Sequence, residues 1–373
     1  MPKLADVVET LEQHYDPRWA EPWDAVGLVC GDPDTDVSRV HFAVDPVATV
    51  ADEAIAAGAQ LLVTHHPLYL RGTTTVAATS AKGRLVHRLI SNGVGLYVAH
   101  TNADVADPGV SDALAAALGV QDAAPLDPRP GEPQDKLVTF APADSVERIL
   151  DALTAAGAGT IGNYTRCAYL GDGTGTFLPG EGSDPTVGTP DKVERTPETR
   201  IEIVLPRGRR REVVRALLDV HPYEEPAYDV LELAALGGPR GLGRIGELQH
   251  PTTLEQFTAA VARALPPTAW GVRGAGDPQR QVRTVAVCGG SGGELASAAA
   301  RAGADVLVTA DLRHHPASET VEDGGVALVD AAHWATEWPW LGQAARLLTT
   351  VETTVSTTVT DPWTVHAHQT EES

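Results

Sequence analysis

Leu61-Leu62-Val63-Thr64-His65-His66-Pro67 is the stretch on which the reading of this 373-residue chain turns. Its apolar run is that of a short buried strand, and the paired histidines and proline close it. In α/β proteins the C-terminal ends of strands face the crevice where ligands bind. Two imidazoles there are either metal ligands or polar residues opening a loop, and the segment alone does not choose.

The flanks supply context. Upstream, residues 4–14 read as a helix with Leu4, Val7, Val8 and Leu11 on one face. Strands follow over 26–32 and 40–45, then a helix over 47–57 that stops at Gly58. Downstream, a helix over 81–91 ends at Asn92-Gly93, and a strand over 94–99 leads to His100-Thr101-Asn102-Ala103-Asp104. A helix over 111–118 closes this half. Strands alternating with helices at this spacing predict a mainly parallel, layered α/β sheet.

Beyond residue 121 the texture changes. Asp127-Pro128-Arg129-Pro130-Gly131-Glu132-Pro133 is a linker by composition. Strands over 136–140, 167–170, 201–205 and 228–233, with helices over 145–155 and 209–219, make the ferredoxin-like order βαββαβ. A Gly/Pro-rich loop covers 171–199. The third segment then repeats the first. Ala302-Gly303-Ala304-Asp305-Val306-Leu307-Val308-Thr309 matches Ala57-Gly58-Ala59-Gln60-Leu61-Leu62-Val63-Thr64, offset by 245 residues (302 − 57). Gly325–Val329 leading to His333 echoes Gly93–Tyr97 leading to His100. The predicted architecture is α/β. Two duplicated α/β half-domains, 1–127 and 241–373, form one metal-binding unit, with a ferredoxin-like α+β domain inserted at 128–240.

Hydrophobic residues at 43% and charged residues at 21% fit a folded chain. Lys plus Arg total 28 against 50 Asp plus Glu, a net charge of −22. A field of that sign repels nucleic acid and anionic membranes unless a local basic patch overrides it. The compact basic cluster, Arg207, Arg209, Arg210 and Arg211, opens a predicted helix and reads as a solvated face. Cys30, Cys167 and Cys288 form no CxxC pair, which excludes a Cys-rich zinc site and argues against a disulfide framework. No signal-peptide core and no run of ~18 apolar residues occurs, so the expected location is the cytoplasm, with no membrane contact.

Duplicated halves bring equivalent strand ends to one cleft. His65, His66 and Asp104 enter it from the first half, and His333 and Glu337 from the second. The last two have i, i+4 spacing and so share a helix face. Five His and carboxylate groups exceed the needs of one tetrahedral ion and suit two divalent ions bridged by a carboxylate and a water. Such donors accept Zn, Mn, Fe, Co or Ni. Each group has a plainer reading: His-x-x-x-Glu is common on helix surfaces, and Asp104 can cap the turn before Pro108. His314-His315-Pro316 mimics His65-His66-Pro67 and is either an alternative ligand pair or a neighbour of the cleft; Asp311 and His41 share that ambiguity. Gly289-Gly290-Ser291-Gly292-Gly293 is either a phosphate cradle of backbone amides or a tight strand–helix turn.

These motifs resemble a known family. Trp23-Asp24-Ala25-Val26-Gly27-Leu28, Thr64-His65-His66-Pro67-Leu68, His100-Thr101-Asn102-Ala103-Asp104, Gly243-Arg244-Ile245-Gly246, Thr309-Ala310-Asp311-Leu312-Arg313-His314-His315 and His333-Trp334-Ala335-Thr336-Glu337 carry the likeness. The chain is similar to the dinuclear-metal-centre, YbgI-like proteins called GTP cyclohydrolase 1 type 2 homologues. The resemblance implies His65, His66, Asp104, His333 and Glu337 as ligands of two divalent metals per subunit. It also implies a toroidal homohexamer with the sites facing its cavity. The segment with His221-Pro222-Tyr223-Glu224-Glu225-Pro226-Ala227-Tyr228 resembles the PII/CutA-like insert of longer members. One departure is Ala310, where the family motif usually has glycine; it alters none of the five ligands.

The expected function is that of a metal-dependent hydrolase whose metal-bridging hydroxide attacks a phosphoryl group, an amide or a purine-ring carbon. Its partner would be a nucleotide or another phosphate-containing small molecule. The alternative is a non-catalytic metal-binding or regulatory protein whose insert docks a ligand or partner. Nucleic-acid binding in a ring cavity is disfavoured by the net charge.

Overall fold

The structure is a computed structural model describing residues 1–367. Its contacts divide the chain into two compact units, one formed by Met1–Arg129 with the segment from Gly238 onward, the other by Pro130–Gly237. The first part of the larger unit runs α1 (Leu4–His14), β1 (Gly27–Cys30), β2 (Arg39–Ala43), α2 (Ala48–Ala56), β3 (Leu61–Thr64), α3 (Ala81–Ser91), β4 (Gly95–Val98), α4 (Thr101–Asp104), α5 (Val110–Ala117) and β5 (Val120–Pro130). The smaller unit holds β6 (Gln134–Ala141), α6 (Val146–Ala155), β7 (Ala168–Phe177), β8 (Glu194–Pro206), α7 (Arg210–Val220) and β9 (Tyr228–Glu232). The chain then continues through β10 (Gly237–Thr253), α8 (Leu254–Ala264), β11 (Val272–Ala275), β12 (Gln281–Ser291), α9 (Ala296–Arg301), β13 (Val306–Ala310), α10 (His314–Glu322), β14 (Ala327–Ala331), α11 (His333–Ala345) and β15 (Glu352–Val355).

The larger unit has two mixed sheets. The five-stranded sheet has the order β1-β4-β3-β2-β15 and the six-stranded sheet β11-β14-β13-β12-β10-β5. The centre of each is parallel: β2, β3 and β4 in one, β12, β13 and β14 in the other. Strand β3 is buried along its length, as a strand covered on both faces must be. Each sheet takes an edge strand from the far part of the chain: β15 pairs with β2, and β5 lies beside β10. Val40, Phe42, Leu61 and Val63 of one sheet share a core with Val285, Val287, Val306 and Val308 of the other. Helix α11 contributes the fully buried Trp340, whose indole N–H donates to the Tyr15 hydroxyl at 3.1 Å. Truncating such a side chain to alanine costs about 3–5 kcal/mol.

The expected linker is partly strand. Residues 127–130 belong to β5, the outer strand of its sheet. Proline survives there because an edge strand need not donate on its outer side. The returning β10 approaches so closely that a Cβ on Gly241 would stand 2.5 Å from the Asp127 carbonyl oxygen.

The smaller unit follows the order βαββαβ, with an antiparallel sheet β7-β8-β6-β9. Ile149, Leu150 and Leu153 of α6 and Val213 and Leu217 of α7 pack on Leu137, Ile201, Ile203 and Leu205. Much of the expected 171–199 loop is strand, because β7 and β8 pair from Ala168↔Ile203 to Phe177↔Glu194. Strand β7 buries neither face well, so it lacks the apolar alternation by which a strand is read. Arg207 and Arg210 are also not free: both bind Asp135, at 3.0 and 2.7 Å.

Candidate metal centre

All five expected ligands lie in the larger unit and converge. Parallel pairing of β3 and β4 sets their C-terminal ends side by side. His65 and His66 leave β3, and Asp104 ends α4 just beyond β4. Helix α11 begins at His333 and places Glu337 one turn on. Glu337 is the hub. Its Oε1 lies 2.9 Å from His333 Nε2 and 3.4 Å from His65 Nε2, and its Oε2 lies 3.1 Å from His66 Nε2. Asp104 Oδ1 is 3.6 Å from His65 Nε2.

A sixth side chain joins them. His65, His66 and His100 form one group and His66, His333 and Glu337 another, each with ligand atoms within 4.8 Å of one another. His100 follows a strand end, as His65 does, and that position is its one signal in the sequence. The other imidazole nitrogens are all held by oxygen. His65 Nδ1 meets the Ala99 carbonyl at 2.9 Å and His66 Nδ1 meets Asp45 at 2.7 Å. His100 Nδ1 meets Asp24 at 2.9 Å and His333 Nδ1 meets Asp311 at 2.6 Å. An oxygen on Nδ1 fixes the tautomer that leaves the Nε2 lone pair facing the centre, which is how metal-binding histidines are oriented. Asp311 does this from a left-handed backbone conformation, φ 57°, one that aspartate tolerates better than most residues.

The electrostatics favour cations between the carboxylates. Burial acts to raise the Glu337 pKa, but His66, His333 and His65 outweigh it and hold the carboxyl well below its ordinary range. Burial dominates at Asp104 and raises it. The imidazoles respond in the opposite sense. Burial disfavours the charged form, yet Glu337 lifts His66 well above its ordinary value and, with Asp311, lifts His333 to about 9. Burial is likewise overcome at His65, by Glu337 and Asp104. His65 Nε2 is buried without an aligned hydrogen bond, and so is Glu337 Oε2, which meets only the His66 ring at 3.1 Å. Orphaned buried donors and acceptors are expensive, and a divalent ion satisfies both. The donor set therefore fits a metal.

The residues whose role the sequence leaves open separate. Asp311 is part of the centre through His333. His314 and His315 begin α10 and lie edge to face on each other, 5.2 Å between ring centroids, outside both ligand groups. His41 bonds Thr354 through Nδ1 at 2.8 Å, and burial lowers its pKa. The glycine run is not an anion cradle. Gly290 N–H donates to Thr336 Oγ1 at 2.9 Å, Gly292 N–H to Thr309 Oγ1 at 2.8 Å, and Gly289 N–H to Ser111 Oγ at 3.3 Å. With those amides engaged, the run's role is clearance: a Cβ on Gly290, at φ 65°, would collide with Glu337 Oε1.

The family model for Duf34/NIF3 (NGG1p interacting factor 3) matches residues 2–362. The chain belongs to the Duf34/NIF3 family. Among its relatives, a Mycobacterium tuberculosis protein named GTP cyclohydrolase 1 type 2 homolog is 51% identical over 367 residues, covering 97% of this chain and 96% of that one. Among solved structures, the Bacillus cereus protein related to NIF3 has a TM-score of 0.78 at 36% identity, covering 97% and 99% of the two chains. Staphylococcus aureus protein SA1388 has a TM-score of 0.84 at 29% identity, covering 97% and 98%. Among the described residues no helix is long and apolar enough to cross a membrane.

Proposed function

We propose that the cluster is a dinuclear divalent-metal centre and that the protein is a metal-dependent hydrolase. The observation that carries this is the convergence of four Nδ1-anchored imidazoles on two carboxylates, with His65 Nε2 and Glu337 Oε2 buried and without an aligned hydrogen bond. His65, His100 and Asp104 would hold one ion. His66, His333 and Glu337 would hold the other, since His66 Nε2 sits against Glu337. Two such ions polarise a carbonyl or phosphoryl group and lower the pKa of water toward neutrality. The chain's own residues orient the donors: Asp24, Asp45 and Asp311 fix three rings, and Thr336 and Thr309 hold the β12 terminus clear of Glu337.

The same reading takes the two sheets as duplicated half-domains, the 130–237 unit as an inserted ferredoxin-like domain, and the assembly as a toroidal homohexamer acting on a nucleotide or another phosphate-containing molecule. The parallel strand sets and the βαββαβ order support the first two parts. Metal analysis should find two equivalents per chain, and metal-loaded protein should turn over GTP or a simple phosphodiester. No turnover with any bound metal would defeat the hydrolase. A non-catalytic regulatory role is the second reading. It is favoured by a separate cavity of about 510 Å3 in the smaller unit, lined by Phe140, Glu198, Tyr223 and Glu224.

A further inference from the structure

The 510 Å3 cavity of the smaller unit has Phe140, Phe177 and Tyr223 in its walls. Four carboxylates, Glu181, Glu198, Glu224 and Glu225, also line it, and among the described residues no arginine, lysine or histidine does. The lack of a cation is particular to this place. Glu194, Glu198 and Glu202 stand four residues apart on β8. Glu194 has Lys192 at 3.7 Å, and Glu202 has Arg200 at 2.8 Å and Lys136 at 3.0 Å. Glu198, between them, forms no ion pair among the described residues; its Oε1 accepts the Tyr223 hydroxyl at 2.8 Å instead. Its Oε2 lies over Gly175, where a Cβ would collide with it. Arg200 lies 5.5 Å from the Phe140 ring centroid, but it is committed to Glu202 and does not line the cavity. The walls are held in place. The His221 ring takes the Tyr223 backbone N–H on Nδ1 and meets the Phe140 carbonyl through Nε2, both at 3.1 Å. On the facing side, the Asp184 N–H donates to Glu224 Oε2 at 2.9 Å and the Thr186 hydroxyl to the Pro222 carbonyl at 2.6 Å.

We infer that this cavity is a binding site for an aliphatic di- or polyamine, with one ammonium on Glu198 and the methylenes along the aromatic walls. The carboxylates do not gather as the ligands of a metal ion do. Among the described residues, the groups of three or more His, Cys, Asp and Glu that could hold one ion lie in the larger unit. Negative charge spread around an apolar-walled cavity suits a cation with separated charges and a hydrocarbon body. An ammonium there gains a charge-assisted bond to a carboxylate and the attraction of the aromatic rings. The volume falls within the roughly 300–1,000 Å3 of small-molecule sites. The same four charges would repel the phosphates of a nucleotide. All the lining residues belong to the smaller unit, so the assignment holds whether or not the metal centre is catalytic.

The test is calorimetric titration of full-length protein, in buffer of physiological ionic strength, with 1,4-diaminobutane, spermidine and 1,4-butanediol. The diamine or the triamine should bind at one site per chain. The diol, which matches the diamine in length but carries no charge, should not bind. Glu198→Gln keeps the acceptor for Tyr223 and loses the charge, and Glu224→Gln does the same for the Asp184 amide. Each should weaken binding about tenfold, in the range of a hydrogen bond to a charged group, with an unchanged circular dichroism spectrum. Glu9→Gln removes an equal charge from α1, outside the cavity, and should leave the affinity as it is. Binding of neither amine, binding of the diol as tight as that of the diamine, or wild-type affinity in both cavity variants overturns the assignment. So does an equal loss in Glu9→Gln, which would mean that the amines answer only the net charge of −22.

Discussion

Two buried carboxylates, one in each unit, show how the same chemical group serves two ends. Glu337 is 2% exposed and Asp135 is 0% exposed. Both are held below the ordinary carboxyl range by cationic neighbours. The neighbours differ. Asp135 is gripped by Arg210 and Arg207, which also reach Glu232 at 2.9 and 3.4 Å. Guanidinium is permanently charged and its planar fork satisfies the carboxylate. Glu337 is surrounded by His65, His66 and His333, whose charge is conditional and whose cluster leaves buried atoms unpaired. The arginine cluster is complete as it stands and holds a fold together. The histidine cluster has donors left over, of the kind that could hold a cation.

The largest effect should come at the incomplete cluster. Glu337→Gln removes the hub charge and should weaken metal binding by more than ~100-fold, beyond the loss typical of outer partners. Competition against a chelating dye measures it, and wild-type stoichiometry with wild-type affinity would erase the contrast. Asp311→Asn should cost about 10–100-fold in affinity by releasing His333 Nδ1. Full affinity there would mean that the ring needs no anchor.

The complete cluster should respond to acid instead. Arg210 and Arg207 depress the Asp135 carboxyl in the folded state, so its stabilising contribution is present above its ordinary value of 3.8. It is lost as pH falls through the lower folded value. Denaturant titrations monitored by circular dichroism should show that acid-dependent loss in the wild type and its absence in Asp135→Asn. An identical pH slope in both proteins would break the argument. The smallest effect is at Arg209, whose bond to Glu212 is exposed at both ends. Arg209→Ala should leave the unfolding midpoint unchanged, because exposed pairs contribute little.

Much of this is legible in the sequence. The buried strand ending in His65-His66 and the shared helix face of His333 and Glu337 appear where the sequence indicates. His100 is not marked as a ligand by the sequence, since a lone histidine near a strand end carries no sign of its ring's direction. The 127–130 segment reads as linker because proline and glycine report local chain preference, not the neighbour that an edge strand finds. The glycine run left two readings open, and the hydroxyls of Ser111, Thr309 and Thr336 decide between them.

The sequence by itself determined what depends on near neighbours: apolar runs, helix-face spacing, the repeat of 57–64 at 302–309, and the motifs of the Duf34/NIF3 family. Tertiary structure alone decided what joins distant residues. Asp24 meets His100 across 76 positions, Asp45 meets His66 across 21, and Asp311 meets His333 across 22. β15 completes a sheet begun by β2, and Trp270 and Asp361 line one cavity. The physical reason is that side-chain periodicity is a property of the local backbone. The direction of an imidazole and the pairing of a buried atom depend on whichever groups folding brings alongside.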